Sequence, residues 1–433
     1  MFSYEVEKTI FKGSCTPPPS KSHTLRALLF AMLANGTSTI NNCLSSPDTT
    51  NMINACRALG AYIEKQENNT LRVYGCNNKI MPHKKKIWVG NSGIAFRFLT
   101  AICATLSSPI TITGDASICS NRPIKPLLDA LSLLGAKTIQ KSLLNAPITV
   151  EGPLYAGKTK IFADDSQHLS ALLIVSALLI DGKTEIFVPL LKEKPWIEMT
   201  LFWFDKLGIK YQNDNFEKFT IFGKQEIKGF DFTVPSDFSS LSFPLVGALI
   251  TQSDLVINNV DMKDVQGDKK IISLLQSMGA NITILKEEKK LKIGKSIFPF
   301  ASCDVNGDEL IDALPILSVF GCFTSGNMRI FNAANAKNKE CNRLSCIVTE
   351  LKKMNGNICE HNDGISVKTS TLYGTRIHSH KDHRLALALC IAAMTCKETS
   401  IIEDIACVKK SYPHFVRDMR KIGAKISQVK NVL

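Results

Sequence analysis

The chain has 433 residues, of which 45% are hydrophobic and 21% charged, and its formal net charge is +13. A chain of this length usually folds as two domains, and the composition is that of an ordinary globular protein. The positive charge indicates an anionic partner. Because the basic residues are scattered and not interleaved with aromatic ones, a small anionic substrate is favoured over nucleic acid.

The 14 cysteines are distributed singly, without a CxxC pair or the cysteine and histidine spacing of a metal site. The first residues, Met1–Ser14, alternate charged and apolar side chains and lack the apolar core of a signal peptide. No apolar run reaches the roughly 18 residues that a membrane-spanning helix needs. We therefore expect free thiols in a reducing cytoplasm, no metal and no membrane partner.

The first chemical motif is Thr16–Arg26, in which three consecutive prolines precede a run of apolar residues at helical spacing. The prolines prevent an earlier helix start, and Ser20 or Ser22 can cap the helix that follows. Lys21 and Arg26 then lie in its first turns, beside unpaired backbone amides. This arrangement is typical of a phosphate site, although a capped, solvated helix start has the same sequence.

Three further stretches place polar residues just before apolar helices. They are Gly90–Gly93 with Asn91, Asn121–Ile124 with Arg122, and Asp164–Gln167 with adjacent Asp165 and Ser166. Glycine admits a ligand close to the backbone, and an arginine before a proline at a helix start can face an anion. A tight turn, a surface arginine and an N-cap are the alternative interpretations. Lys192–Trp196 indicates a turn with an aromatic lid.

The last third of the chain adds groups suited to proton transfer. Asp312 lies within an apolar run, where a carboxyl group must be paired or active in proton transfer. In Lys339–Arg343, the carboxyl group of Glu340 stands between two cations, either as a local salt bridge or as a proton shuttle. Asp382–Arg384 begins another helix, and Lys410 lies near the chain end. Together, these stretches favour a cleft between two lobes, lined with amides and cations.

A helix that ends in a small turn and is followed by a strand-forming segment recurs six times, at intervals of about 70 residues. The residues that end these helices are Gly60, Gly135, Gly208, Gly279, Asn355 and Gly423. Glycine, and after it asparagine, best tolerates the left-handed conformation at a helix end. The repeat predicts six α/β units in two groups of three.

Prolines and small polar residues mark two crossings between these groups, and we predict hinges near residues 16–20 and 233–237. Residues 19–235 would form an N-terminal lobe of three repeats. Residues 1–18 and 236–433 would form a C-terminal lobe of three repeats, to which the chain start returns.

In order, the motifs resemble those of the EPSP synthase (3-phosphoshikimate 1-carboxyvinyltransferase) family over about residues 15–415. They are Pro-Ser-Lys-Ser…Arg (19–26), Gly-Asn-x-Gly (90–93), Arg-Pro-Ile (122–124), Ser-Gln-x-Leu (166–169), Asp-Ala (312–313), Lys-Glu-x-x-Arg (339–343) and Asp-His-Arg (382–384). The resemblance implies a two-lobed inside-out α/β barrel of six βαβαββ repeats. It also implies transfer of the enolpyruvyl group of phosphoenolpyruvate to the 5-hydroxyl of shikimate 3-phosphate, through a tetrahedral intermediate, with release of phosphate.

The resemblance also implies roles for individual residues. Glu340 would protonate the methylene carbon of phosphoenolpyruvate, and Asp312, assisted by Lys21, would accept the hydroxyl proton. Phosphoenolpyruvate would be bound by Lys21, Asn91, Gly93, Arg122, Gln167, Arg343, Arg384 and Lys410. Shikimate 3-phosphate would be bound by Lys21, Ser22, Arg26, Asp165, Ser166, Gln167, Trp196, Asp312, Asn335 and Lys339. A monomer without metal, cofactor, nucleic-acid or membrane partner is implied.

The chain departs from the family pattern at five positions. Asp165 and Glu193 replace serines, which puts a carboxylate near the shikimate phosphate. Trp196 replaces a tyrosine and keeps its flat face without the hydroxyl. Asn342 replaces an aspartate, from which we expect weaker local support of Arg343 and Lys339. Ile94 replaces a threonine and bears on sensitivity to phosphonate analogues of phosphoenolpyruvate.

Two other functions are weighed against this one. The related enzyme that acts on UDP-N-acetylglucosamine has a cysteine in a glycine-rich loop, whereas Cys119 lacks such glycines, and it has asparagine where this chain has Ser22. A nucleic-acid-binding or RNA-end-processing protein, similar to RNA 3′-phosphate cyclases, requires a nucleotidylated histidine motif and a continuous basic stripe. The sequence shows neither.

Overall fold

A computed structural model describes residues 2–140, 145–180 and 182–430. The chain divides into two compact units. The N-terminal unit is Ser20–Val234, and the C-terminal unit combines Met1–Pro19 with Pro235–Leu433. Each has a mixed α/β fold.

The strands are short, as expected for segments between frequent turns. In chain order they are β1 Phe2–Val6, β2 Ser14–Cys15, β3 Thr37–Asn41, β4 Tyr62–Lys65, β5 Leu71–Tyr74, β6 Lys86–Trp88, β7 Ile110–Thr113, β8 Lys137–Gln140, β9 Ile148–Glu151, β10 Lys158–Ala163, β11 Lys183–Leu191, β12 Tyr211–Asp214, β13 Lys218–Phe222, β14 Asp231–Thr233, β15 Leu255–Ile257, β16 Ile282–Leu285, β17 Lys290–Ile293, β18 Phe300–Ala301, β19 Asp304–Asn306, β20 Thr324–Ser325, β21 Asn327–Phe331, β22 Asn357–His361, β23 Gly364–Lys368, β24 Arg376–His378, β25 Ser400–Glu403 and β26 Ile426–Lys430.

The helices connect these strands. They are α1 Lys21–Leu33, α2 Pro47–Ala58, α3 Gly93–Cys103, α4 Ala116–Asn121, α5 Lys125–Ser132, α6 Ser166–Ser176, α7 Lys194–Leu207, α8 Phe238–Ile250, α9 Lys270–Ser277, α10 Leu314–Gly321, α11 Arg343–Lys353, α12 His383–Ala393 and α13 Phe415–Lys421. Short 3₁₀ helices span Gly267–Lys269, Ala334–Asn338 and Ile405–Lys410.

The described residues form seven open sheets, six of which have four strands and one common pattern. One parallel pair is extended by two antiparallel pairings. In the N-terminal unit the strand orders are β14-β3-β5-β4, β6-β7-β9-β8 and β10-β11-β13-β12. In the C-terminal unit they are β24-β25-β1-β26, β2-β15-β17-β16 and β19-β21-β23-β22, with a two-stranded sheet β18-β20.

Strand β1 lies between strands from the other end of the chain. Ser3 pairs with Glu403 of β25 on one side and with Val429 of β26 on the other. Strand β2 likewise pairs with β15, Cys15 lying beside Ile257. The first residues are therefore an integral part of the C-terminal unit.

Within each unit the apolar helices are buried on nearly all sides, as their near-continuous apolar sequences require. Helix α3 packs against α1 and α6 in the N-terminal unit, and α8, α10 and α12 pack together in the C-terminal unit. Most of them begin at a polar cap, and the capping side chains are those of Ser20, Ser92, Asp165, Asp237 and Asp382. The core thus fixes where these helix N-termini and their polar residues lie.

The predicted ends of the six repeated helices are confirmed. The residues Gly60, Gly135, Gly208, Gly279, Asn355 and Gly423 all have positive φ, between 70° and 114°. The left-handed conformation satisfies the last carbonyl groups of a helix and turns the chain into the next strand.

The 14 cysteines all lie in described residues and carry free thiols, as the sequence predicts. Among the described helices, none is both long and apolar enough to cross a bilayer.

Candidate active site

In the N-terminal unit, Lys21 is the first residue of α1, which Ser20 caps by accepting the amide of His23. The ammonium group of Lys21 lies 3.7 Å from Oδ2 of Asp48, an almost fully buried residue of α2. Asp48 was not among the residues predicted from the sequence. Its carboxylate holds Lys21 at the helix start and partly balances its charge.

Arg26, one turn further along α1, is 2% exposed. Its guanidinium group donates to Oγ1 of Thr200 at 3.1 Å and, at 3.4 Å, to the carbonyl oxygen of Trp196. Burial lowers the pKa of Arg26 to about 9. The structure thus uses Arg26 to join α1 to α7, and its binding of shikimate 3-phosphate stays a prediction.

Gly93, Arg122 and Gln167 come together although they lie on separate segments. A β-carbon at Gly93 would be 3.0 Å from Oε1 of Gln167 and 3.8 Å from Cζ of Arg122. It would also be 2.9 Å from Nη1 of Arg97. A larger residue here would displace the ends of the Arg97 and Gln167 side chains, and α3 begins beside two of the predicted phosphate-binding side chains.

Asn91, just before α3, donates to Oδ2 of Asp115 at 2.6 Å. Asp115 caps α4 by accepting the amides of Ser117 and Ile118, and Arg122 directly follows this helix. The capped helix α4 thus connects the positions of Asn91 and Arg122.

Asp165 caps α6 by accepting the amide of Gln167 at 2.9 Å. Its other carboxylate oxygen lies 3.8 Å from Nη2 of Arg97, which is fully buried within α3. Burial, partly offset by Asp165, lowers the pKa of Arg97 to about 10. The sequence analysis passed over Arg97, although an arginine inside an apolar helix was a usable signal.

Glu193 is buried and accepts a hydrogen bond from the hydroxyl of Ser166 at 2.8 Å. It has a left-handed backbone, φ 55°, immediately before α7, so the predicted turn at Lys192–Trp196 is confirmed. Trp196 follows in the first turn of α7 and is half-buried. Glu193 thus contacts the residue that directly follows Asp165.

In the C-terminal unit, a fully buried arginine, Arg343, binds three carboxylates. The distances are 2.7 Å to Asp382, 2.8 Å to Asp312 and 3.1 Å to Glu340. Although burial opposes the charge, Asp382, Glu340 and Asp312 raise the pKa of Arg343 well above its ordinary value. Asn342 serves as the cap of α11, whereas Arg343 is bound by the neighbouring Glu340 and by Asp312 and Asp382 of other segments. The expectation that Asn342 gives weaker local support stays a prediction.

Asp312 is shared between two arginines. Its second oxygen lies 3.4 Å from Nη2 of Arg384, whose Nη1 is 3.9 Å from Asp237, the cap of α8. Burial alone would raise the pKa of Asp312, but Arg384, Arg343 and Lys339 together hold it well below its usual range. Asp312 is therefore ionised at neutral pH, as a proton acceptor must be.

Glu340 is buried between cations. Its Oε1 lies 2.5 Å from Nζ of Lys410, at the end of the 3₁₀ helix Ile405–Lys410, and its Oε2 lies 3.1 Å from Nη2 of Arg343. Nδ1 of His383 is 3.7 Å from the same Oε1. Lys339 is buried next to it, and Asn335 lies in the preceding 3₁₀ helix, Ala334–Asn338.

Two acidic residues of this unit received no role from the sequence, although Asp382 lies in the Asp-His-Arg motif (382–384). Asp382 caps α12 by accepting the amide of Arg384 at 2.8 Å, and it also binds Arg343. Asp268 is buried and accepts the hydroxyl of Ser239. Burial and the charge of Asp312 raise the pKa of Asp268 to about 7.

In the described part of the chain, one cluster has the spacing of a metal site. Ligand atoms of Glu340, Asp382 and His383 lie within 4.8 Å of one another. Arg343 and Lys410 already bind these carboxylates, and a further cation would be repelled by both. The cluster is better explained as part of an ion network.

Fold and site together define an α/β enzyme for small polyanions. Both units present cations at the N-termini of buried helices, and the C-terminal unit adds two carboxylates suited to proton transfer.

The profile of the family "EPSP synthase (3-phosphoshikimate 1-carboxyvinyltransferase)" matches residues 7–419. The chain belongs to this family.

Curated relatives agree. The chain is 41% identical over 433 residues to the 3-phosphoshikimate 1-carboxyvinyltransferase of Chlamydia caviae, covering 99% of this chain and 95% of the relative. It is 41% identical over 418 residues to that of Chlamydia muridarum, covering 96% and 93%.

Solved structures are similar over nearly the whole chain. EPSP synthase from Acinetobacter baumannii superposes with a TM-score of 0.83 at 25% identity, covering 99% of this chain and 100% of the other. The enolpyruvyl transferase NikO from Streptomyces tendae has a TM-score of 0.81 at 16% identity, covering 100% and 99%, and shares the fold.

Proposed function

We propose that this protein is a 3-phosphoshikimate 1-carboxyvinyltransferase of the shikimate pathway, on the route to chorismate and the aromatic amino acids. It transfers the enolpyruvyl group of phosphoenolpyruvate to the 5-hydroxyl of shikimate 3-phosphate and releases phosphate. Family membership supports the reaction. The observation that carries the mechanism is the pairing of Glu340 and Asp312 with Arg343, Arg384 and Lys410.

Glu340 is the proton donor to the methylene carbon of phosphoenolpyruvate. When phosphate leaves the tetrahedral intermediate, the methyl group formed in the addition loses a proton and the methylene group is restored, so the proton returns to Glu340. Lys410, whose ammonium group lies 2.5 Å from Oε1, stays charged and holds this carboxyl group in place. The positive charges of Lys410 and Arg343 also stabilise negative charge on the tetrahedral intermediate.

Asp312 accepts the proton of the 5-hydroxyl. Arg343 and Arg384 clamp the carboxylate of phosphoenolpyruvate. Asp312 competes with this carboxylate, because it binds the same two guanidinium groups. When the substrate carboxylate binds Arg343 and Arg384, it offsets part of their positive charge. The pKa of Asp312 then rises, and Asp312 becomes a stronger base. Substrate binding thereby activates the acceptor.

The N-terminal unit supplies further anion-binding groups. Lys21, Asn91, Gly93, Arg122 and Gln167, with Lys410, bind phosphoenolpyruvate, and the contact of Gly93 with Arg122 and Gln167 supports this assignment. Lys21 also assists proton transfer.

Shikimate 3-phosphate is bound by Ser22, Arg26, Asp165, Ser166 and Trp196 of this unit. In the C-terminal unit, Asn335 and Lys339 bind it as well. Asp165 and Glu193 bring negative charge to this site, and the hydroxyl of Ser166 already donates to Glu193. Ser166 must therefore turn away from Glu193 to donate to the phosphate at the N-terminus of helix α6.

The arrangement of the repeats is part of the proposal. The protein is a two-lobed inside-out α/β barrel of six βαβαββ repeats in two groups of three, which the common order of the four-stranded sheets supports. Hinges lie near residues 16–20 and 233–237. The protein works as a cytoplasmic monomer without nucleic acid, and 14 free thiols favour such a reducing compartment.

Neither alternative function is favoured. The relatives named above are 3-phosphoshikimate 1-carboxyvinyltransferases, and not enzymes of UDP-N-acetylglucosamine or RNA.

The test is to incubate the protein with phosphoenolpyruvate, with and without shikimate 3-phosphate, in the presence of a chelator. Phosphate and the enolpyruvyl product are followed by phosphorus NMR. We expect one phosphate per product molecule, only when both substrates are present. Phosphate release without shikimate 3-phosphate, or transfer to UDP-N-acetylglucosamine instead, would refute the assignment.

A further inference from the structure

Residues 379–382 connect β24 to α12 by a four-residue turn, the β24–α12 turn. It is closed by the amide of Asp382, which donates to the carbonyl oxygen of Ser379 at 3.0 Å. Both central residues, His380 and Lys381, are left-handed, with φ of 51° and 59°. Glycine and asparagine favour a turn of this kind, whereas most other side chains are strained in it. Contacts with the surrounding structure must therefore hold it.

The carboxylate of Glu350 binds this turn from helix α11. Its Oε1 lies 2.8 Å from Nε2 of His380, and its Oε2 accepts the amide of His378 at 3.0 Å. Glu350 is fully buried, and Nζ of Lys353 lies 2.9 Å from both of its oxygens. Although burial opposes the charge, these hydrogen bonds lower the pKa of Glu350 to about 2. An ionised carboxylate only accepts hydrogen bonds, so Nε2 of His380 is the donor.

Other hydrogen bonds fix the first half of the turn. The hydroxyl of Ser379 donates to the carbonyl oxygen of Asp404 at 2.8 Å and accepts the amide of Lys381 at 3.2 Å. The amide of His380 donates to Nδ1 of His378 at 2.9 Å. Of the two left-handed side chains, that of Lys381 is exposed. The imidazole of His380 therefore links the strained part of the turn to helix α11.

The turn ends at a residue that holds two of the proposed substrate-binding groups. Asp382 accepts the amide of Arg384 at 2.8 Å, and its other oxygen lies 2.7 Å from Nε of Arg343. Arg343 and Glu350 are seven residues apart on α11, so they lie on the same face of that helix. Helix α11 thus contacts the turn at two points. If His380 left Glu350, Asp382 would shift relative to Arg343.

We propose that His380 is a positioning residue for phosphoenolpyruvate, because its hydrogen bond to Glu350 holds the strained β24–α12 turn and thereby the position of Asp382. Through Asp382 it aligns Arg343 and Arg384. The inference rests on the proposed function, in which these two arginines clamp the substrate carboxylate. His380 acts at a distance in this role and needs no contact with the substrate.

Steady-state kinetics test the positioning role. His380→Ala removes the hydrogen bond and keeps a residue that is strained at positive φ. The KM for phosphoenolpyruvate should rise about tenfold, and the KM for shikimate 3-phosphate by about twofold at most. Two rescue variants should restore most of the affinity for phosphoenolpyruvate. Asparagine in His380→Asn tolerates the left-handed backbone without reaching Glu350, and glycine in His380→Ala/Lys381→Gly favours it.

Hydrogen–deuterium exchange of the full-length protein measures the turn itself, independently of activity. In peptides that cover residues 377–385, the amides of Asp382 and Arg384 should exchange about tenfold faster in His380→Ala than in the wild type. The two rescue variants should exchange nearly as slowly as the wild type. Peptides from helix α3 report whether each variant is folded and should not change. The control is His361→Ala, which removes an exposed histidine of β22 and should match the wild type in both measurements.

The two measurements can fail separately. Unchanged exchange in His380→Ala would overturn the claim that its hydrogen bond holds the turn. Faster exchange with an unchanged KM for phosphoenolpyruvate, or an equal rise in both KM values, would overturn the positioning role. No recovery in either rescue variant would contradict the argument from backbone strain. A protein without transferase activity whose turn still exchanges in the expected order would refute the proposed function and support the contact of His380 with Glu350.

Discussion

At the scale of single residues, the C-terminal unit brings more charged side chains into contact than the spacing of its motifs predicts. Arg343 binds carboxylates from three segments, and two of them, Asp312 and Glu340, are the groups assigned to proton transfer. An ion pair in a buried site resists solvent screening. The same arginine thus binds both groups that are assigned to proton transfer.

Asp312→Asn tests the competition between Asp312 and substrate. Loss of the proton acceptor should lower kcat by roughly two to four decades. The KM for phosphoenolpyruvate should fall or stay constant, because Arg343 and Arg384 lose a competing carboxylate. Steady-state phosphate release measures both constants, with Asp304→Asn, an exposed position on β19, as the control. A KM that rises strongly would show that Asp312 helps to bind the substrate.

At the scale of elements, the sequence predicted local structure well because its causes are local. Ser20 and Asp165 cap helices where the motifs placed helix starts, and Gly208 and Asn355 end helices where the repeat placed them. These effects act within one turn of the chain.

Contacts between helices and strands could not be predicted from the sequence in the same way. The carboxylate nearest to Arg343 is that of Asp382, 39 residues away, and the local motif around Asn342 does not predict this contact. Arg97 was missed because its partners, Pro123 and Asp165, belong to other segments. Such contacts depend on which helices pack together, and no local pattern contains that information.

Asp382→Asn separates capping from ion pairing in α12. Asparagine caps a helix about as well as aspartate, but it removes the charge that lies 2.7 Å from Nε of Arg343. We expect a loss of about 2 kcal/mol in the free energy of unfolding and a higher KM for phosphoenolpyruvate. Denaturant titration measures the loss.

The comparison is Asp165→Asn, which also keeps a cap but changes a longer contact of 3.8 Å to Arg97. The free energy of unfolding should fall by less in Asp165→Asn than in Asp382→Asn. Equal losses in the two variants would mean that the ion pair of Asp382 adds nothing beyond the cap.

At the scale of the whole molecule, the repeated helix ends correspond to sheets of one pattern, six of them among the described residues. Periodicity indicated the repeat, but the partners of each strand follow from the fold. Phe232 of β14, for example, lies beside Ile40 of β3, a pairing that spans most of the N-terminal unit. Long-range pairing of this kind has no signal in a single sequence.

Asp268 should make the folding stability of the protein depend on pH. Its pKa is about 7 in the folded protein, above the ordinary value of 3.8, so the folded state binds the extra proton between these values. Stability therefore falls as pH rises from about 4 to 7. Asp268→Asn, which resembles the protonated form, should reduce this fall and raise the melting temperature at pH 7.5 relative to wild type.

Scanning fluorimetry from pH 4 to pH 8 measures the effect. The matched control is Asp304→Asn, and its melting curve should follow that of the wild type. A wild-type slope retained in Asp268→Asn would contradict the role of this carboxyl group.

The proton transfer assigned to Glu340 is tested most directly by hydrogen exchange at the methylene carbon of phosphoenolpyruvate. The protein is incubated in D₂O with both substrates, and deuterium at that carbon is followed by NMR in the wild type, in Glu340→Gln and in the control Glu287→Gln, an exposed position. The account predicts exchange that requires shikimate 3-phosphate and falls by about 100-fold or more in Glu340→Gln only. Exchange at the wild-type rate in Glu340→Gln would contradict it.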